Sequence, residues 1–274
     1  MTTPSDPEAA VTSTEKSPPA GDDPPSSSSA AAAEAALVRK CDVRVVPILF
    51  VLFMLSFIDR INIGNARLQG LERDLGMQHR DYNVALFVFF IPYILLEVPS
   101  NLVLKRVAPS TWLSGIIAAW GVVTICQGVT SSFAGLVVCR FFLGVFEAGF
   151  VPGCVYLISM YYQRYELQKR LNFFFCASII AGAVSGLLAY AIAGLDGRAG
   201  YSGWRWIFIV EGAVTVAAAA ASRFLIVDWP ETAGFLSDDE RQLLAARLRA
   251  DAFGARMDRL DGAAVRRCGG ACAT

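Results

Sequence analysis

The 274 residues carry 24 Lys and Arg against 24 Asp and Glu, with charged residues only 18% of the total and a mean hydropathy of +0.48. A chain this apolar is not a water-soluble domain, and zero net charge lacks the cationic surplus that phosphate contacts demand, so nucleic-acid binding is excluded. Residues 1–36 hold six of the twelve prolines and the run Ser26 to Ser29, with almost nothing apolar larger than alanine before Leu37. This composition predicts a disordered tail. No short basic stretch leads straight into an apolar core, so the segment does not read as a secretory signal, and the first core is a retained helix. Crossing a hydrocarbon core of about 30 Å takes roughly 20 helical residues. Apolar runs of that length predict helices over 43–65, 83–104, 111–130, 134–160, 171–194 and 204–226. The fold class is therefore all-α integral membrane, with six transmembrane helices spanning 37–228. An even number of spans puts both ends on one side.

With the N-terminus inside, Arg39, Lys40, Arg44, Lys105, Arg106, Arg164, Lys169 and Arg170 lie on cytoplasmic flanks, against Arg67, Arg73, Arg80, Arg198 and Arg205 outside. That bias places both termini in the cytoplasm. After the sixth helix, Pro230 interrupts the chain, and Ser237 to Glu240 forms a capping box for a short helix bearing Leu243, Leu244 and Leu248 within a 229–253 cytoplasmic linker. Residues 254–274 show no helical periodicity and are expected to be disordered. The seven cysteines have neither metal spacing nor a disulfide pattern and read as small apolar packing residues. His79 is the only histidine and reads as a surface residue, so neither metal nor cofactor is expected.

Val43 to Ile58 gives only 16 residues, about 24 Å, so the first helix must continue through Asp59, Arg60, Asn62 and Asn65 to cross. Otherwise the helix ends at Ile58 and Asp59 and Arg60 lie at the interface. Arg140 and Glu147 stand two turns apart on one face of the fourth helix. A charge at the centre of a membrane helix costs about 3 kcal/mol on insertion scales, so this helix should turn both toward water, a partner or a ligand. They either line a cavity or tie the fourth helix to the first. A fixed Arg beside a titratable carboxylate suits binding an organic anion together with a proton. Glu97 reads as structural, pairing with Lys105 or Arg106. Glu211 also reads as structural, with Trp204 and Trp206 in an interfacial aromatic belt. Gly144, Gly149 and Gly153, with Gly182 and Gly186, are read as faces for close helix packing. No nucleophile and base, metal cluster or phosphate loop stands out, and the chain does not read as an enzyme.

Five stretches, in order, resemble the N-terminal half of a major facilitator transporter of the anion:cation symporter branch, which includes fungal allantoate and nicotinate permeases. They are Asp59 to Ala66, Glu97 to Leu102 with Lys105 and Arg106, Arg140 to Gly149, Gly203 to Gly212, and Asp228 to Thr232. The resemblance implies proton-driven symport of a small organic anion, a carboxylate such as nicotinate, allantoate or pantothenate, by alternating access. It also implies that Asp59 and Glu147 couple the proton, that Arg60, Arg140 and Asn62 meet the anion, and that the setting is the plasma membrane. Twelve helices are expected of such a carrier and six are present, so a C-terminal six-helix half or a second copy is the expected partner. The competing expectation is a truncated, non-transporting membrane protein that associates with itself or with a full-length relative.

Overall fold

A computed structural model describes residues 27–251 of the chain. Helix α1 spans Ser27–Leu68, α2 is a single turn at Leu71–Asp74, and α3 spans His79–Leu104. They are followed by α4 (Pro109–Val129), α5 (Phe133–Glu147), α6 (Phe150–Ser159), α7 (Arg164–Ala193), α8 (Gly203–Leu225) and α9 (Asp238–Asp251). Six segments are long and apolar enough to cross a membrane, with α5 and α6 together forming one of them, Phe133–Ser159. The interruption at Ala148 and Gly149 has a local cause. Pro152 has no N–H to give the carbonyl of Ala148, and its ring crowds that carbonyl. Helical bonding resumes with the Gly153 N–H to the Gly149 carbonyl at 3.1 Å.

The first helix starts well before the expected residue 43. Its 42 residues span about 63 Å, twice the hydrocarbon thickness, so its N-terminal turns project beyond the membrane. Residues 27–36, expected in the disordered tail, are helical. Lacking large apolar groups, this stretch still contains an alanine run, and alanine has the highest helix propensity. Tertiary contacts hold the extension: Arg247 on α9 pairs with Glu34 at 2.5 Å and with Glu166 on α7 at 2.7 Å, and Lys40 pairs with Glu240 at 2.7 Å. The α9 capping box forms as expected, Ser237 and Glu240 each bonding the other's backbone N–H. Residues 1–26, the 254–274 tail and the His79 side chain lie outside what is described.

The spans pack as three pairs, α1 with α7 and α3 with α5 running parallel and α4 with α8 antiparallel, while α4 also meets α5 and α1 meets α8. Glycines set the closest crossings. A Cβ on Gly121 or Gly212 would come within 2.9 Å of the facing helix, and one on Gly144 would sit 2.1 Å from the Phe89 carbonyl oxygen. Gly182 and Gly186 behave otherwise: nothing lies within 4 Å of a Cβ there, so the expected packing face on α7 is open. Ile94, Leu95 and Val98 on α3 and Ile179, Leu187 and Tyr190 on α7 also point outward. Lipid tails or another apolar partner can cover such faces at little cost, which water cannot.

Candidate functional site

The first helix carries its polar stretch into the bundle rather than to the interface. Asp59 and Asn62 are buried, and so are Arg140, Glu147 and Glu211. Adjacent residues on a helix diverge by about 100°, and that divergence separates Asp59 from Arg60. Arg60 turns toward α3 and α5, where its Nη2 meets Glu147 Oε1 at 2.7 Å. The Ser56 hydroxyl donates to the same oxygen. The rings of Phe57, Phe89 and Tyr93 surround the guanidinium at 5.2–5.4 Å from their centroids, a cation–π environment that partly replaces lost hydration. Asp59 turns the other way, toward α4 and α8. Its Oδ2 accepts from Trp120 Nε1 at 2.8 Å and from Thr215 Oγ1 at 3.3 Å.

Arg140 is 2% exposed, and its Nε and Nη2 have no hydrogen-bond partner. Tyr82, Glu147 and Asp59 lie within electrostatic range of it, but none forms an ion pair with it. Asn62 accepts from Asn65 Nδ2 at 2.9 Å while its own Nδ2 is unpartnered, as is Asp59 Oδ1. Unmet polar atoms in an interior are costly, by about 1–3 kcal/mol each and more when charged. Their concentration around Arg140, Asn62 and Asp59 marks the place where a polar ligand or water has most to gain.

Several sequence expectations change here. Glu97 forms no ion pair with Lys105 or Arg106; eight residues amount to about 12 Å along the helix, too far for that pair, and Lys105 lies over the Tyr156 ring instead. Trp204 is not part of an interfacial belt. It is fully buried, its indole N–H donating to Asp74 at 2.9 Å, whereas Trp206 keeps a half-exposed position. Glu211 sits inside the bundle within reach of the Asp59 charge. Ser56, Trp120, Thr215 and Tyr93 join the charged cluster without having been singled out. Trp120 alone offered a signal, as an indole whose N–H needs an acceptor in the middle of an apolar span.

A six-span bundle with Asp, Glu and Arg side chains buried at its centre defines a multi-pass membrane protein. Comparison with known proteins agrees. Residues 49–257 match the model of the Major Facilitator Superfamily, and the chain belongs to that family. It is 39% identical over 222 residues to the MFS transporter prlL of a fungal species (strain NRRL 50135), covering 79% of this chain and 45% of that protein. To the MFS-type transporter cnsO of Penicillium expansum it is 41% identical over 219 residues, covering 78% and 42%. A putative tartrate transporter of Agrobacterium vitis is 34% identical over 222 residues, covering 80% and 50%. The chain thus spans about half the length of the curated relatives it matches. Among solved structures, an inward-facing bacterial homolog of the human lysosomal transporter Spinster superposes with a TM-score of 0.61 at 22% identity, covering 68% of this chain and 43% of that one. That likeness concerns the fold.

Proposed function

We propose that the chain supplies the proton-coupling and anion-binding residues of a symporter for a small organic anion, the second half of the carrier lying outside these six spans. The observation that carries the reading is Arg140, a guanidinium buried in the bundle with two nitrogens unpartnered. A planar donor fork of this kind matches a carboxylate bidentately. Glu147 supplies the coupling. While ionised it holds Arg60 at 2.7 Å; once protonated it gives up most of that attraction, and Arg60 becomes available to the anion beside Arg140. A proton and an anion then favour one another's binding, and by linkage the preference is reciprocal. Asp59, already anchored by Trp120 and Thr215, is the second proton carrier, and Asn62 offers its free Nδ2 to the ligand.

The name of the Agrobacterium vitis relative, which points to a hydroxylated dicarboxylate, supports an organic-anion substrate. The basic flanks from Arg39 to Arg170 support cytoplasmic termini, and the plasma membrane is the proposed setting. In cells expressing the protein that carries this chain, Glu147→Gln should abolish pH-driven uptake of a radiolabelled carboxylate such as tartrate or nicotinate while membrane insertion is unchanged. Uptake that keeps its wild-type rate and pH dependence in that variant would refute the assignment.

A further inference from the structure

Glu211 is left over once the cluster around Arg60 and Arg140 is accounted for. It is 6% exposed, and neither carboxylate oxygen has a hydrogen-bond partner. Its direction follows from its own helix. Thr215 lies one turn further along α8, on the same face, and donates to Asp59 Oδ2 at 3.3 Å. Glu211 therefore faces α1 about 6 Å along the axis from that bond, and the Asp59 charge acts on it. Because α1 and α8 run antiparallel, the step from Asp59 to Asn62 on α1 leads toward the level of Glu211. Asn62 is fully buried with its Nδ2 free. Three side chains thus bring four unpartnered polar atoms to one seam: Asp59 Oδ1, Asn62 Nδ2 and both oxygens of Glu211.

The other elements packed on α8 supply no counter-charge. From α4 come Trp120, Thr124 and Gln127, none of which titrates, and the Gln127 Oε1 is itself an acceptor without a donor. Cys126 on α4 and Cys176 and Tyr190 on α7 are exposed. Arg140 and Glu147, on α5, act on Asp59. Two carboxylates buried at one seam with no cation between them cannot both stay ionised. A proton on one of them supplies the donor that the other's oxygen lacks.

We propose that Asp59 and Glu211 hold one proton between them, with Asn62 completing the seam, so that Glu211 is a further proton site of the bundle beyond Glu147 and Asp59. Transfer moves the proton from a Glu211 carboxyl oxygen through a bridging water to Asp59 Oδ1. Glu211 is left as the carboxylate, and the pair keeps a single negative charge. The importance of such a store rests on the proposed proton role of Asp59, but its existence is tested without transport. In infrared spectra of the chain in lipid bilayers at neutral pH, a carbonyl band of a buried carboxylic acid is expected. The band should disappear in Glu211→Gln, persist in Glu147→Gln, and shift in frequency in Asp59→Asn, where the hydrogen-bond partner changes. Should Glu211→Gln fail to fold, wild-type chain grown with 13C-carboxyl glutamate should show the band displaced, and its persistence in Glu147→Gln assigns it. A band untouched by both the Glu211 substitution and glutamate labelling overturns the proposal, as does one unmoved in Asp59→Asn. Uptake left unchanged by Glu147→Gln, with the band intact, would count against the transport reading alone.

Discussion

The α3–α5 crossing offers a sharp test of how the charged cluster is held. At Gly144 an added Cβ would lie 2.1 Å from the Phe89 carbonyl oxygen, 2.9 Å from Pro92 Cγ and 3.1 Å from the Phe89 carbonyl carbon. Two of these neighbours are backbone, so α3 as a whole must retreat by about 1 Å to restore contact distance, an overpacking cost of about 1–3 kcal/mol. Gly182 is the matched control, with nothing within 4 Å of its Cβ. Both lie inside membrane helices, so the propensity gain of alanine over glycine, about 1 kcal/mol, cancels when the two alanine variants are compared. Gly144→Ala should melt about 2–12 °C below Gly182→Ala. The measurement is loss of the monodisperse peak on size-exclusion chromatography after heating in detergent, at a single heating rate because such unfolding is irreversible. Equal midpoints would mean that α3 and α5 are not in contact at this glycine. The position of Phe89 and Tyr93 around Arg60 would then have to be redrawn as well.

Arg247→Ala should free α9 from the N-terminal parts of α1 and α7, since the partly exposed Glu34 loses its partner and breaking the mostly buried pair with Glu166 costs about 3–5 kcal/mol. Hydrogen exchange should accelerate across 238–251 while α4 and α8 keep their protection. Trp120→Phe removes the stronger of the two donors to Asp59 and should lower stability by about 1.5–3 kcal/mol, read as a reduced thermal midpoint that Thr215→Val lowers further. At the opposite end of the bundle, the Ser202 hydroxyl and then the Trp204 indole hold the Asp74 carboxyl below the ordinary carboxylate range. A depressed carboxyl contributes stability above its unfolded value near 4, and that contribution is lost as pH falls through the lower folded value. Asp74→Ala should therefore destabilise the bundle at pH 7 and cease to matter in strong acid, which melting curves at the two pH values would show.

The six spans were legible because each exceeds the length a bilayer requires, and the burial of Asp59 and Asn62 followed from the same arithmetic, since 16 apolar residues stop short of the far side. The partner of each charge was not legible. Helical spacing says that Arg140 and Glu147 share a face, but not that Glu147 is taken by Arg60 from another helix. Trp204 has the composition of an interfacial aromatic and lies in the core because Asp74, 130 positions away, accepts its N–H. The close seam of α4 against α8 rests on Gly121, Gly128 and Gly212, which carry no signal until the two helices are known to be neighbours. Residues 27–36 were misread because missing apolar bulk was weighed above alanine's helix propensity and because Arg247 could not be foreseen as the partner of Glu34.

The divergence of Asp59 and Arg60 gives the cluster its two-part character. Asp59 is bonded to Trp120 and Thr215, on the helix pair whose glycines leave no room to slide. Arg60 is bonded to Glu147, the last residue of α5 before the interruption that Pro152 imposes. A change in the angle between α5 and α6 would therefore alter the Arg60–Glu147 pair and leave the Asp59 bonds as they are. Two carboxylates fixed to adjacent turns of one helix would respond to any motion together. These two sit on opposite sides of α1, one against a tight seam and one at a break, so a motion at the break reaches one and not the other. In the proposed carrier that separation is what coupling needs: one acid responds to the anion through Arg60, while the other keeps its setting through the cycle.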